Sequence, residues 1–192
     1  MSAAGGFAGL VLAAGASRRF GEVDKLLAPL GGRPLASHAA AAARASGVGR
    51  WVAVTSAPEV AALLGGFEIV TVPRGCLQGE SLRAGMARVR EGEPAGVVVV
   101  LADMPRVTGA LIDAVVARAT AHGAAACVDA ARRSPPAAFL PEHFAALSAA
   151  EGDRGAGALL RRLPADALVP ADGLLDDVDT QADLRRIGGV DR

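Results

Sequence analysis

Apolar residues along this chain fall in short continuous blocks rather than in strict alternation. Phe7–Ala14, Trp51–Thr55, Phe67–Val72, Val97–Leu101 and Ala124–Val128 are rich in Val or Ala and bounded by Gly, Pro or polar residues. Runs of this kind suit strands covered on both faces, as in a parallel sheet held between helices. Between them, Pro34–Ser46, Pro58–Leu64, Glu80–Glu91 and Gly109–Ala121 show helical spacing, and Gly79-Glu80-Ser81 gives the third a polar, capped start. The alternation predicts right-handed crossovers and a three-layer α/β sandwich. Past Ala130 the pattern loosens. Pro135 and Pro136 precede a predicted strand at Ala137–Leu140, with helices at Pro141–Ala149 and Gly155–Arg162. A strand at Leu174–Asp179 and a closing helix at Gln181–Ile187 complete the prediction. With no linker, charge run or internal repeat in 192 residues, residues 1–192 are expected to form one domain.

Composition narrows the function classes. The chain is 52% apolar and 21% charged, enough for a real core and too apolar for disorder. Only 3% is aromatic and Tyr is absent, which argues against stacking platforms for bases. Twenty Lys plus Arg balance twenty Asp plus Glu, so the basic excess usual in nucleic-acid binders is missing. No apolar run reaches membrane length. Phe7–Ala14 has no basic residues before it, and although Ala13-Ala14-Gly15 could pass for a cleavage site, a buried strand is the better reading. Cys76 and Cys127 lack partner spacing for a zinc site or a disulfide scaffold. A reducing, cytoplasmic protein is expected, with neither nucleic acid nor membrane as partner.

In α/β sheets ligands bind beyond the carboxyl ends of the strands, which ranks the loops before any motif. The first such loop reads Leu12-Ala13-Ala14-Gly15-Ala16-Ser17-Arg18-Arg19-Phe20-Gly21, followed by Asp24-Lys25-Leu26-Leu27. Small residues let the backbone approach a phosphate, and free amides with Arg and Lys neutralise it. Lys25 is the only lysine in a chain otherwise supplied with Arg, which suggests a site needing a compact charge. The bland alternative is a solvated loop lysine. The dinucleotide fingerprint fails, because Ala13 stands where its first glycine belongs, and no Gly-Lys-hydroxyl run supports an ATPase loop. The fourth predicted strand ends in Leu101-Ala102-Asp103-Met104-Pro105, which aims a carboxylate at the presumed cleft. Such carboxylates commonly hold Mg²⁺ together with substrate phosphates. Alternatively, Asp103 caps the following helix. In Asp176-Asp177-Val178-Asp179-Thr180, strand alternation would put Asp177 and Asp179 on one face, where a cation offsets their repulsion. The competing reading is a turn in which Asp179 or Thr180 caps the last helix.

Together these residues resemble the MobA/MocA-like NTP transferases, the nucleotidyltransferases of the molybdenum cofactor. Leu12–Gly21 with Lys25 looks like their L-A-A-G-x-S-x-R-[MF]-G…K-L signature, and Leu101–Pro105 resembles their metal-binding L-x-D-x-P. Asp177–Asp179 with Thr180, Asp183 and Leu184 is similar to their D-[IV]-[DN]-T-x-x-D-L. Ser81–Gly85 matches S-[LIV]-x-x-G, and Gly152–Ala156 echoes G-D-x-G-A of the cytidylyltransferase branch. The match spans about residues 8 to 187. The resemblance implies a Rossmann-like α/β/α fold with a mostly parallel sheet. The implied activity moves a nucleoside monophosphate from an NTP to a phosphorylated acceptor and releases pyrophosphate. Leu12, Ala13, Ala14, Gly15, Ser17 and Ser81 would hold the nucleoside. Arg19 and Lys25 would grip the triphosphate, and Asp103 with Asp179 would hold Mg²⁺. In-line phosphoryl transfer needs positioning and charge neutralisation above all. His38, His122 and His143 lie outside every motif.

Departures from the family pattern fall on the acceptor side. Where cytidylyltransferases carry G-x-x-G-H-P, this chain has Ala131-Arg132-Arg133-Ser134-Pro135-Pro136, with Pro135 in place of His. Gly157 replaces the Arg that ends G-D-x-G-A-R. Molybdopterin is therefore less well supported as acceptor than the nucleotide chemistry is as activity. Ala13-Ala14 resembles the pyrimidine-using branch, so CTP is favoured over GTP, and a molybdoenzyme or its maturation factors are the implied partners. Two rival readings remain. One is a sugar- or polyol-phosphate nucleotidyltransferase, and the other is a non-catalytic nucleotide-binding accessory module.

Overall fold

A computed structural model describes residues 6–15, 20, 24–152 and 155–189. In chain order the strands are β1 (Phe7–Ala13), β2 (Pro29–Leu30), β3 (Arg33–Pro34), β4 (Arg50–Thr55), β5 (Glu68–Thr71), β6 (Gly96–Leu101), β7 (Ala124–Asp129), β8 (Arg132–Phe139) and β9 (Leu168–Pro170). The helices are α1 (Leu35–Ala45), α2 (Pro58–Leu63), α3 (Gln78–Arg90), α4 (Gly109–His122), α5 (Phe144–Ser148), α6 (Gly157–Leu160) and α7 (Gln181–Gly188). β2 and β3 form a separate small antiparallel pair. The remaining strands make one seven-stranded sheet in the order β5-β4-β1-β6-β8-β7-β9.

All its pairings are parallel except those made by β8, which runs antiparallel to both β6 and β7. The expected three-layer α/β/α fold with a mostly parallel sheet is thus observed. Along β1, Val11 and Ala13 join the core under α1 and α4, while Ala8 and Leu10 join the core under α3 and α5. Both faces are dry, so both sets of positions are apolar and the strand reads as a continuous run. Gly85 lets α3 lie close on the sheet: a Cβ there would sit 2.5 Å from Leu10 Cδ1 and 2.8 Å from Val54 Cγ2. β1 continues to β4 and β5 on one side and to β6 on the other, so the chain order reverses between β1 and β6. That reversal opens a crevice at their carboxyl ends, the usual ligand position in such sheets.

The carboxyl-terminal third departs from the sequence prediction. Leu174–Asp179 is not a strand. Its Val178 amide bonds the Asp103 carbonyl (3.0 Å), and side chains rather than a neighbouring strand satisfy much of the segment. The strand in this region is β9, whose three residues are too few to show a period; it extends the sheet by pairing with β7. β8 begins five residues before the predicted strand and runs through both prolines. It can do so because its register with β7 shifts between Ala126–Ala137 and Cys127–Ser134, leaving Pro135 and Pro136 in the irregularity, where no ladder amide is needed. The predicted helix Gly155–Arg162 contracts to α6, and Pro141–Ala149 divides into a 3₁₀ turn, Pro141–His143, and α5. The β2–β3 pair went unpredicted because two-residue strands carry no periodicity.

Candidate active site

Lys25 opens a single 3₁₀ turn, Lys25–Leu27, which forms because Asp24 caps it: Asp24 Oδ1 accepts from the Leu26 amide at 3.0 Å. Leu26 is buried in the core, which leaves the turn little freedom. Beyond the turn, His38 on α1 donates from Nε2 to the Leu30 carbonyl (2.9 Å) and ties down the β2–β3 pair. The Lys25 side chain is itself buried, with 9% of its surface exposed. Its ammonium reaches two carboxylates, Asp103 Oδ2 at 2.7 Å and Asp179 Oδ1 at 3.0 Å. Residues 78 and 154 positions from Lys25 in sequence therefore meet on one nitrogen.

Each carboxylate is placed by backbone. Asp103 follows β6 between buried Ala102 and Met104, and the Ala102 amide bonds the Leu12 carbonyl of β1 (3.1 Å). Asp179 is fixed through its neighbour Val178, whose amide bonds the Asp103 carbonyl and whose side chain is fully buried. Asp103 does not cap the following helix, and for the second cluster the turn-and-cap alternative holds with Thr180, not Asp179, as the cap. Thr108 caps α4, accepting from the Leu111 amide at 3.2 Å. Thr180 caps α7 reciprocally with Asp183, and the Asp183 carboxylate also accepts from the Asp179 amide. Asp103 and Asp179 are thereby left to face Lys25.

The electrostatics follow from burial. Desolvation works to lower the Lys25 pKa, but Asp103 and Asp179 outweigh it and hold the ammonium charged, with its pKa above the ordinary lysine value. Burial pushes the Asp103 carboxyl above the usual carboxylate range against the pull of Lys25, and the nearby Asp177 carboxylate pushes the same way. Asp103 Oδ1 is moreover buried with no hydrogen-bond partner among the described residues.

Of the other expected site residues, Leu12 and Ala13 end β1 and Ala14 and Gly15 follow it at the crevice, with Ala13 and Ala14 buried and Gly15 exposed. Ser81 is buried on the first turn of α3, and its hydroxyl donates to Cys76 Sγ (3.6 Å). Glu80 accepts from the Leu77 amide at 2.9 Å and gives the helix the polar start expected of it. Ser17 and Arg19 fall outside the described residues. Asp177 is not set beside Asp179 by strand alternation, because the segment is not a strand; it pairs with Arg132 at 3.1 Å and its charge also acts on Asp103. Arg132 and Arg106, which hold the segment carrying Asp179, were missed by the sequence reading because their contacts are tertiary and leave no local pattern.

Residues 9–167 match the MobA-like NTP transferase domain. The chain belongs to that family. No curated protein matches the chain by sequence. Among solved structures, Rv0371c from Mycobacterium tuberculosis H37Rv is 30% identical with a TM-score of 0.84, over 95% of this chain and 98% of that one. A complex of Rv0371c with manganese is 29% identical with a TM-score of 0.81, over 95% and 98% of the two chains. CMP:2-keto-3-deoxy-manno-octonic acid synthetase in complex with CTP shares the fold at 15% identity, with a TM-score of 0.71 over 96% of this chain and 97% of that one. The class of this MobA-like NTP transferase domain is nucleotidyltransferase.

A divalent cation fits the donor set of this MobA-like domain. Asp103 and Asp179 converge on one position, and the Asp103 Oδ1 without a partner among the described residues offers a further hard donor. No group of three or more His, Cys, Asp or Glu side chains forms a ready-made cage among the described residues. That suits a hard cation held by one or two carboxylates and completed by substrate phosphates.

Proposed function

We propose that this protein transfers a nucleoside monophosphate, CMP in preference to GMP, from an NTP to a phosphorylated acceptor. The observation that carries the reading is the meeting of Lys25, Asp103 and Asp179 at the crevice between β1 and β6. An oxygen of the acceptor phosphate attacks the α-phosphorus, the bond from that phosphorus to the β-phosphate bridging oxygen breaks, and pyrophosphate leaves. Leu12 and Ala13 at the end of β1, Ala14 and Gly15 after it, and Ser81 on α3 bind the nucleoside, a role the loop motif also gives Ser17. Arg19 and Lys25 neutralise the triphosphate; for Lys25 this means exchanging part of its carboxylate contact for phosphate oxygens. Asp103 and Asp179 hold Mg²⁺, which when bound offsets the charge on the α-phosphate and the leaving group.

Molybdopterin is the acceptor that family membership favours, and the departures at Ala131–Pro136 and Gly157 keep a sugar or polyol phosphate as the second reading. CTP binding by the octonic acid synthetase supports the pyrimidine preference by analogy of fold. A matrix of the four NTPs against molybdopterin and sugar or polyol phosphates, read by pyrophosphate release with Mg²⁺, tests the proposal. We expect CTP to exceed GTP by roughly 10–200-fold, the range one pocket contact commonly gives. Comparable or faster turnover with GTP overturns the base preference. Nucleotide binding with no pyrophosphate release for any pair overturns the transferase and leaves an accessory module.

A further inference from the structure

The chain between β9 and α7 carries Asp179 and has no regular structure; next to that carboxylate its backbone is tied by the Val178 amide, which bonds the Asp103 carbonyl at 3.0 Å. Its ends are secured: the Ala171 amide bonds Val128 of β7 (2.9 Å), and Thr180 caps α7. Its middle is held by side chains from elsewhere. The Gly173 amide donates to Asp129 Oδ2 at 3.1 Å, and Arg106 and Arg186 both reach Asp176 Oδ2, at 3.2 and 3.1 Å. Arg132, the first residue of β8, makes a different contact. Its Nη1 donates to Asp177 Oδ1 at 3.1 Å while its Nη2 donates to the Leu175 carbonyl, so one rigid fork spans the two residues flanking Asp176.

β8 runs antiparallel to β6, which brings its first residues to the same sheet edge as the end of β6 and Asp103. Arg132 therefore links the β7–β8 hairpin to a strap that ends, two residues later, in Asp179. An exposed ion pair of this kind contributes little to global stability, but a fork onto Leu175 and Asp177 restrains the path of the segment just ahead of the Val178 bond to Asp103. We propose that Arg132 is a positioning residue: by forking onto Leu175 and Asp177 it fixes the strap so that Asp179 stays within reach of the cation shared with Asp103. The proposal rests on the reading of Asp103 and Asp179 as cation ligands. Arg133 next to it does a separate job, donating to the carbonyls of Leu160, Arg161 and Leu163 and tying α6 to the sheet.

Removing a positive charge near a cation site by itself tightens cation binding, so the test must keep charge constant. Arg132→Lys keeps the charge and every nearby carboxylate but loses the fork, so it is the deciding variant; Arg132→Ala combined with Asp177→Ala removes the clamp at unchanged net charge but also removes the carboxylate that acts on Asp103. Affinity for Mn²⁺ alone is read by electron paramagnetic resonance, with thermal melting measured in parallel. The expected result is a loss of roughly 10-fold or more in the double variant, the scale on which outer supports of metal ligands act, with Arg132→Lys in between and melting little changed. In the transferase assay kcat should fall while KM for the NTP holds, because the nucleoside side of the site is untouched. Wild-type Mn²⁺ affinity in the Lys variant overturns the proposal, as does a wild-type protein that binds no Mn²⁺. If the double variant fails to fold, Arg132→Lys alone decides by the same criterion. Failure of the wild type to release pyrophosphate refutes the transferase reading without touching the Mn²⁺ comparison.

Discussion

At the scale of single residues, Lys25 is the side chain on which most depends. Its ammonium is shared by two carboxylates in a mostly buried setting, and removing it leaves both without that partner. We expect Lys25→Ala to weaken NTP binding and turnover. We also expect it to make thermal stability more responsive to divalent cation, since an added ion then takes over the neutralisation. Lys25→Arg should restore these properties only in part, because a planar fork cannot sit between the carboxylates as a point charge does. Calorimetry with NTP and melting curves with and without Mg²⁺ check this; wild-type affinity in the Ala variant would remove Lys25 from the site. Asp103→Asn keeps shape and removes charge, so it should fold and lose most turnover, with smaller loss of nucleotide binding. Asp179→Asn should be milder, since the family pattern admits Asn there. Pyrophosphate-release rates against Mg²⁺ concentration measure both, and near-normal metal dependence in Asp103→Asn would end the two-carboxylate reading.

At the scale of elements, α3 shows how packing outweighs local preference. Gly85→Ala gains up to about 1 kcal/mol of helix propensity. It also drives a Cβ to 2.5 Å from Leu10 and 2.8 Å from Val54, in a core where overpacking costs about 1–3 kcal/mol. Net destabilisation is expected, read as a lower denaturation midpoint. Another link ties α3 to β4 and β5: Arg50 grips Glu68 in two bonds, at 2.8 and 3.1 Å, and Arg88 of α3 reaches the same carboxylate at 2.7 Å. The hydrogen bonds from Arg50, with the charges of Arg50 and Arg88 behind them, hold the Glu68 carboxyl below the usual range against an opposing desolvation. A depressed folded pKa stabilises at pH values above the unfolded pKa and ceases to do so as pH falls through the folded one. Glu68→Gln should therefore lose up to about 1 kcal/mol at neutral pH, given the exposure of the cluster, and the difference from wild type should close in acid. A difference that persists unchanged at low pH would contradict the ion-pair account.

At the scale of the whole molecule, the two thiols report on different depths. Cys127 is fully buried in β7, between β8 and β9, and burial pushes its pKa up to about 12. The thiolate is the reactive form, so Cys127 should stay unlabelled at neutral pH until the sheet opens. Cys76, half-buried beside α3, should label in the native state, more slowly than a free thiol because burial raises its pKa as well. Thiol labelling along a denaturant series checks this: one equivalent in the native protein and a second that follows global unfolding. Early labelling of Cys127 would show that the β7 edge opens independently of the rest.

The layered α/β class, the first five sheet strands in chain order and the helices between them are legible in the linear pattern. Those elements are made of local, continuous apolar runs and 3.6-residue patterns that remain visible in one dimension. Lys25 also stands out by its composition and Asp103 by its place at a strand end. The antiparallel insertion of β8, the strand at Leu168–Pro170 and the irregular path of Leu174–Asp179 emerge in three dimensions alone. Each depends on which distant backbone or side chain supplies the hydrogen bonds, and a three-residue strand or an acidic strap has no period to betray it. The convergence of Asp103 and Asp179 on one ammonium belongs to the same class. Thr108 and Thr180 take the caps that either carboxylate could have filled locally, and the carboxylates turn inward because chain folding brings Lys25 between them.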